Sequence, residues 1–159
     1  MPNEMPIVLL RDVIDADLPI FFEQQLDPVA TAMAAFPARE HDAFMAHWHK
    51  IMRDSSCVTQ TIVFDVQVAG NVGCFDAFGE REVCYWLGRA FWGKGIATRA
   101  LTAFLEQVTE RPLFAHAVKH NLGSIRVLQK CGFEIIGVEI GSADAVEEVV
   151  LKLARHSRE

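Results

Sequence analysis

Arg89-Ala90-Phe91-Trp92-Gly93-Lys94-Gly95-Ile96-Ala97-Thr98 is a turn with two glycines, set between a strand-like run and a strongly patterned helix. Glycine lets main-chain N–H groups come close to an anion, and the first turn of a helix adds unpaired donors and a partial positive charge. The stretch therefore has the outline of a pyrophosphate site. Gly88 with Gly93-Lys94 also nearly matches the triphosphate-binding pattern G-x-x-x-x-G-K-[ST]. Gly95 stands where that pattern needs a Mg²⁺-binding Ser or Thr, and Phe91-Trp92 crowd a loop that would have to wrap phosphate, so the triphosphate alternative is the weaker one.

Downstream, a helix is predicted from about Gly95 to Glu110, with Ile96, Ala97, Ala100, Leu101, Phe104, Leu105 and Val108 as one apolar stripe and Pro112 as its end. Upstream, Val58–Val68, Asn71–Phe78 and Arg81–Leu87 are rich in β-branched and aromatic residues. They predict three antiparallel strands, with turns at Ala69-Gly70 and Gly79-Glu80. Further out, Ile7–Val13 reads as an opening strand, and Asp15-Ala16-Asp17 as an N-cap and first-turn acids for a helix carrying Leu18, Ile20, Phe21 and Phe22. Asp27-Pro28 starts a second helix, and Ala38–Arg53 is a third, amphipathic one. Toward the other end, Leu113–Val118 is a strand, Asn121 caps a helix running to Cys131, and Gly132 stops it. Phe133–Ile140 and Val146–Leu153 finish the set. The expected fold class is α/β: a single domain over residues 1–159, with a mixed, mainly antiparallel sheet flanked by helices.

With its glycine turn in that setting, the chain resembles the GNAT N-acetyltransferase superfamily, whose acetyl-CoA loop has the form Q/R-x-x-G-x-G/A. Here it stands as Trp92-Gly93-Lys94-Gly95-Ile96-Ala97, with Trp in place of Gln or Arg, a form similar to the branch of the ribosomal-protein N-terminal acetyltransferases. Glu82-Val83-Cys84-Tyr85-Trp86-Leu87 and the run from Asn121 to Phe133 resemble the same branch. Together the three motifs cover roughly residues 58–153. The resemblance implies the acyl-CoA N-acyltransferase fold, acetyl-CoA as co-substrate with no metal, and direct attack by an amine in a ternary complex. It implies that Trp92, Gly93, Lys94, Gly95, Ile96, Ala97 and Thr98 hold the pyrophosphate. It further implies that the strand ending at Leu87 parts from Leu113–Val118, so that the pantetheine arm enters the gap and bonds exposed main chain as an added strand would. A backbone N–H near Leu87 then faces the thioester oxygen.

Asn121, Ser124 and Leu128 share one helix face, which by the resemblance borders pantetheine and thiol. Many relatives have a Tyr at the place of Leu128 that protonates the departing thiolate. Leu128 has no proton to give, so Ser124 is the nearest substitute, with water or unaided thiolate departure as rivals. Glu82 is the candidate base for an ammonium substrate, against the plainer role of a solvated turn acid beside Glu80 and Arg81. His116 and His120 do not have the spacing of a metal pair. Phe21, Phe22, Phe36, Phe44 and Trp48 are expected in the core rather than around an acceptor.

The remaining composition narrows the class. A net charge of −6, from 21 acidic and 15 basic side chains, argues against a nucleic-acid binder and suits a cationic or amine acceptor. Apolar runs break well short of the roughly 18 residues that span a bilayer, and the first residues lack a signal-peptide pattern. Cys57, Cys74, Cys84 and Cys131 form no C-x-x-C pair and are expected as buried thiols, which with the missing signal gives a cytoplasmic location. The acceptor amine, whether on a peptide N-terminus or a small molecule such as an amino acid, polyamine or amine antibiotic, is not specified by these motifs. A homodimer is compatible with them. The competing class is a catalytically idle CoA-binding or interaction module, which would keep Gly93, Gly95 and Asn121 without a working acid or base.

Overall fold

The computed structural model describes residues 6–140 and 146–154. A seven-stranded sheet forms its centre: β1 Val8–Asp12, β2 Val58–Phe64, β3 Gln67–Ala77, β4 Glu80–Leu87, β5 Leu113–Val118, β6 Glu134–Ile140 and β7 Glu147–Leu153. The strand order is β1-β2-β3-β4-β5-β7-β6, and every neighbouring pair is antiparallel except β4–β5. The helices are α1 Leu18–Gln25, α2 Pro28–Ala34, α3 His41–Arg53, α4 Ile96–Gln107 and α5 Leu122–Lys130.

Alternation along the strands separates two apolar clusters. On one face Val72, Cys74, Val83, Leu87, Leu113, Ala115 and Leu151 meet Ile96, Ala100, Leu101 and Phe104 of α4 and Ile125 and Leu128 of α5. Those four α4 residues are each 1% exposed or less, and each large one contributes about 1.5–3 kcal/mol by burial. On the other face Val13, Leu18, Phe21, Phe44 and Trp48 bring α1 and α3 together. Phe22 packs at the rim of this cluster, whereas Phe36, expected in the core, is 51% exposed with the Arg39 guanidinium over its ring.

The hairpin between β2 and β3 turns at Asp65-Val66, both in the left-handed region, and not at Ala69-Gly70. Ala69 is instead an extra residue in β3, a bulge between the pairs Ile62–Gly70 and Val63–Val68. Gly70 permits a close approach, because a Cβ there would lie 2.0 Å from the Trp86 carbonyl oxygen. Asp17 is a first-turn acid as expected, but its bonds reach further. Its side chain does not cap α1; it accepts two bonds from Arg11 (2.7 and 2.8 Å), one from the Thr61 hydroxyl (2.7 Å) and one from Ile14 N–H (3.0 Å). Burial pushes this carboxyl up, but the Arg11, Ile14 and Thr61 donors together hold it below the usual carboxylate range. Helix α4 ends at Gln107, short of Pro112, because Val108 is already extended.

Candidate functional site

Between β4 and β5 the sheet comes apart. These parallel neighbours are joined at one pair alone, Glu82–Phe114, while β4 keeps a continuous ladder with β3 from Glu80 to Leu87. The bond from Gly88 N–H to the Ala69 carbonyl (2.8 Å) fixes which residues of β4 face β3. By alternation, the main-chain groups of Val83, Tyr85 and Leu87 point toward β5. Beyond the single pair, those of Tyr85 and Leu87 therefore meet a gap instead of a strand. The Leu87 carbonyl accepts a 2.9 Å bond from the Trp92 indole, which leaves the Leu87 N–H as the strand's last inward donor.

The chain leaves β4 through a short 3-10 turn at Arg89–Phe91 and reaches α4 through Trp92, Gly93, Lys94 and Gly95. Gly93 and Gly95 have φ of 74° and 76°, values that glycine adopts without strain. Nothing lies within 4 Å of where either Cβ would stand, so the space beside both is open. Gly95 is the residue before α4 and offers no capping side chain, and the first helical bond runs from Arg99 N–H to its carbonyl. The N–H groups of Ile96, Ala97 and Thr98 are thus free of helical partners. The Ile96 side chain is buried in the core, so its main chain alone can face a ligand. Lys94 is exposed beside these donors.

On the α1 face of β4 stand Glu82, Cys84 and Trp86. Glu82 is not a solvated turn acid: it is largely enclosed, and its carboxylate meets His116 Nδ1 of β5 at 2.7 Å. His116 Nε2 lies 3.5 Å from Glu139 of β6. Burial raises the Glu82 carboxyl above its ordinary range; His116 pulls it down, and the neighbouring acids Glu80, Glu148 and Glu139 push it further up. Cys84 keeps open surface yet is densely surrounded by protein, as a residue on the floor of a cleft is. That setting, chiefly by desolvation, pushes its thiol up to about 12. The four cysteines are all free, and Cys74 is the buried one; Cys57 and Cys131 are half-buried, contrary to the expectation for the set. Two open hollows lie beside the N-terminal helices: one of about 460 Å³ between α1 and Gly88–Phe91, and one of about 480 Å³ between α2 and His120.

The α5 face of the gap is built differently. The Asn121 carboxamide caps α5 by accepting the Ser124 N–H (3.2 Å), which is its plain structural role. Leu128 is 2% exposed and belongs to the core. Tyr85, which sequence reasoning passed over, reaches across from β4, and its hydroxyl donates to Ser124 Oγ at 3.0 Å. The signal available was its odd position in the Glu82–Leu87 alternation, which turns it away from Glu82. His120 Nε2 sits 3.1 Å from the Ala32 carbonyl. Among the described residues no cluster of His, Cys, Asp or Glu is arranged to hold a metal, and no helix is long and apolar enough to cross a membrane.

Residues 8–134 match the family model described as the acetyltransferase (GNAT) domain. No curated protein sequence matches the chain. Among solved structures, spermidine N-acetyltransferase from Vibrio cholerae, in complex with CoA and spermine, is similar at a TM-score of 0.81 and 14% identity, covering 93% of this chain and 95% of that one. RimL, a ribosomal-protein α-N-acetyltransferase in complex with coenzyme A, gives 0.79 and 16%, covering 93% and 94%. An aminoglycoside acetyltransferase in complex with coenzyme A gives 0.77 and 19%, covering 94% and 95%. At these identities the likeness is one of fold.

Proposed function

The chain belongs to the GNAT acetyltransferase family, and on that premise we propose that it transfers the acetyl group of acetyl-CoA to a primary amine by direct attack in a ternary complex. The observation that carries this reading is the parting of β4 from β5 after one pair, with the free donors of α4 beyond the end of β4. The pyrophosphate lies on the main-chain N–H groups around Gly93–Thr98, with Lys94 adding charge. The pantetheine arm takes the place of the missing strand partner along Tyr85 and Leu87. An N–H in that segment, that of Leu87 first, stabilises the oxygen as the carbonyl carbon becomes tetrahedral. Asn121 and Ser124 border the arm from α5.

The amine approaches from the α1 face, where Glu82 takes its proton, directly or through water. A carboxyl raised by its surroundings is a better base near neutrality, and His116 orients it. The high thiol of Cys84 argues against an acetyl-cysteine intermediate and for direct transfer. Acids around Glu82 favour a cationic acceptor, in keeping with the amines named for the solved relatives: spermine, aminoglycosides and a ribosomal-protein N-terminus. Four unpaired cysteines favour a reducing, cytoplasmic compartment.

The test is ligand-dependent stability. CoA at a hundredfold excess over its Kd adds about 2.7 kcal/mol, which for a domain of this size raises Tm by roughly 5–11 °C. Acetyl-CoA with spermidine, an aminoglycoside and a short peptide is then assayed for thiol release. No shift with millimolar CoA, together with a larger one from ATP, overturns the acetyltransferase reading in favour of a nucleotide site. CoA binding without thiol release from any amine favours the idle binding module, the reading to which the buried Leu128 gives its weight.

A further inference from the structure

Acetyl transfer leaves a sulfur anion in the gap between β4 and β5, and something must hydrogen-bond or protonate it. The position that the resemblance associates with that task is Leu128, whose side chain lies in the core and has no proton to give. One hydroxyl pair does span the gap. Tyr85 stands on β4, one wall; Ser124 lies in the first turn of α5, immediately after β5, the other wall; their oxygens are 3.0 Å apart. The main chain of Tyr85 faces the same gap, so the ring is anchored where the arm of the co-substrate would lie.

We infer that Tyr85 is the proton donor to the departing CoA sulfur, with the Ser124 hydroxyl as its hydrogen-bond partner. The inference rests on the acetyl-transfer reading above. Glu82 and Tyr85 project from opposite faces of one strand, so the amine arrives on the Glu82 side and the sulfur is met on the Tyr85 side. In the step, Glu82 removes a proton from the ammonium, and the amine lone pair forms the C–N bond. As the tetrahedral intermediate collapses, the C–S bond breaks with its electron pair on sulfur. The Tyr85 O–H proton passes to that sulfur, and the Ser124 O–H turns to donate to the phenolate. The amide nitrogen loses its second proton to solvent, the phenolate regains one from solvent as CoA leaves, and Glu82 returns the proton it took to solvent. Burial holds the phenol above its ordinary range, so it keeps its proton at neutral pH. Ser124 alone is a poorer acid, and its oxygen is already the acceptor of the Tyr85 bond.

The chain holds a single tyrosine, so two independent experiments act on Tyr85 alone. Tyr85→Phe keeps the ring in place and is expected to lower kcat about 100-fold, with CoA affinity by calorimetry nearly unchanged. Biosynthetic replacement by di- or tetrafluorotyrosine makes only this phenol more acidic, and its titration is followed by ultraviolet difference spectra. The basic limb of the kcat profile should then move to lower pH together with the phenol. Assays use acetyl-CoA and whichever of spermidine, an aminoglycoside or a short peptide turns over best. A parent enzyme that turns over while Tyr85→Phe keeps its kcat overturns the inference alone, as does a basic limb that stays put when the phenol's titration moves. A parent that releases no thiol with any of these amines overturns the acetyl-transfer reading, and the inference with it.

Discussion

Substituting Gly95 by Ala separates the phosphate site from the fold. The residue sits at φ 76° in the step from loop to α4, and an added Cβ meets no protein atom within 4 Å. The folding penalty is therefore conformational, about 1–2 kcal/mol for an L-residue in the left-handed region. For a domain of this size that lowers Tm by roughly 2–8 °C. Val at the same position adds β-branched resistance to that conformation. Helix α4 itself should persist, since Ile96, Ala100, Leu101 and Phe104 remain buried. The binding penalty is separate. The open space beside Gly95 is where a pyrophosphate must come close, and a methyl there holds it off the N–H groups of Ile96 and Ala97. Loss of one charge-assisted hydrogen bond is worth about 1.5–3 kcal/mol, or roughly 10- to 150-fold in Kd. Calorimetry with CoA and with pantetheine, which lacks the pyrophosphate, reads this directly, and circular dichroism reports the fold of the same sample. CoA should weaken by that factor while pantetheine is unaffected. A folded Gly95→Ala protein that binds CoA as tightly as the parent refutes the placement of the phosphate, and an equal loss for both ligands refutes the explanation by the pyrophosphate.

Glu82→Gln should lower kcat by about 10²–10⁴ and abolish the acidic limb of the pH profile, leaving CoA affinity intact; because the carboxyl is raised, that limb in the parent lies above the ordinary carboxylate range. An acidic limb that survives the substitution assigns the proton to another group. Asp17→Asn should cost about 1–3 kcal/mol in urea unfolding at neutral pH, since the Thr61 hydroxyl and Ile14 N–H lose a charged acceptor, while the partly exposed Arg11 recovers solvation. The folded carboxyl titrates below its ordinary value of 3.8, so its contribution is complete above that pH and disappears as pH falls through the depressed value; a parent–mutant difference that does not shrink at pH 3 sinks the account.

The patterned elements were legible because their signals are local: the α4 stripe from Ile96 to Leu105, the Asp27-Pro28 start of α2 and the Asn121 cap of α5 stand as read. The β2–β3 turn was not, since a glycine within a β-rich run signals either a turn or a close approach, and Gly70 is of the second kind. Asp65-Val66 carries no glycine to advertise it; the ladder on either side holds Val66 at a φ that a β-branched residue avoids. Asp17 stands in a first helical turn as read, but its bond to Thr61 was not legible, because that strand residue lies 44 positions away. The site divides in the same way. Loop residues Trp92–Thr98 are contiguous and declare themselves, whereas the Glu82–His116 and Tyr85–Ser124 pairs join residues 34 and 39 positions apart. Such pairs exist only once β4 and β5 lie side by side.

The lone rung between β4 and β5 also bears on how the molecule moves. Mechanically the sheet is two stiff plates, four strands and three, sharing one weld and resting on α4 and α5. A weld of that kind permits twist between the plates, and the breathing amplitude should be greatest at the end away from Glu82, where the co-substrate enters. A thread of pantetheine laid between them would supply the missing rungs and quiet both plates together. Part of the intrinsic affinity is then consumed in silencing that motion, and amides on β4 and β5, though far apart in the chain, should slow their exchange in concert when the gap is filled.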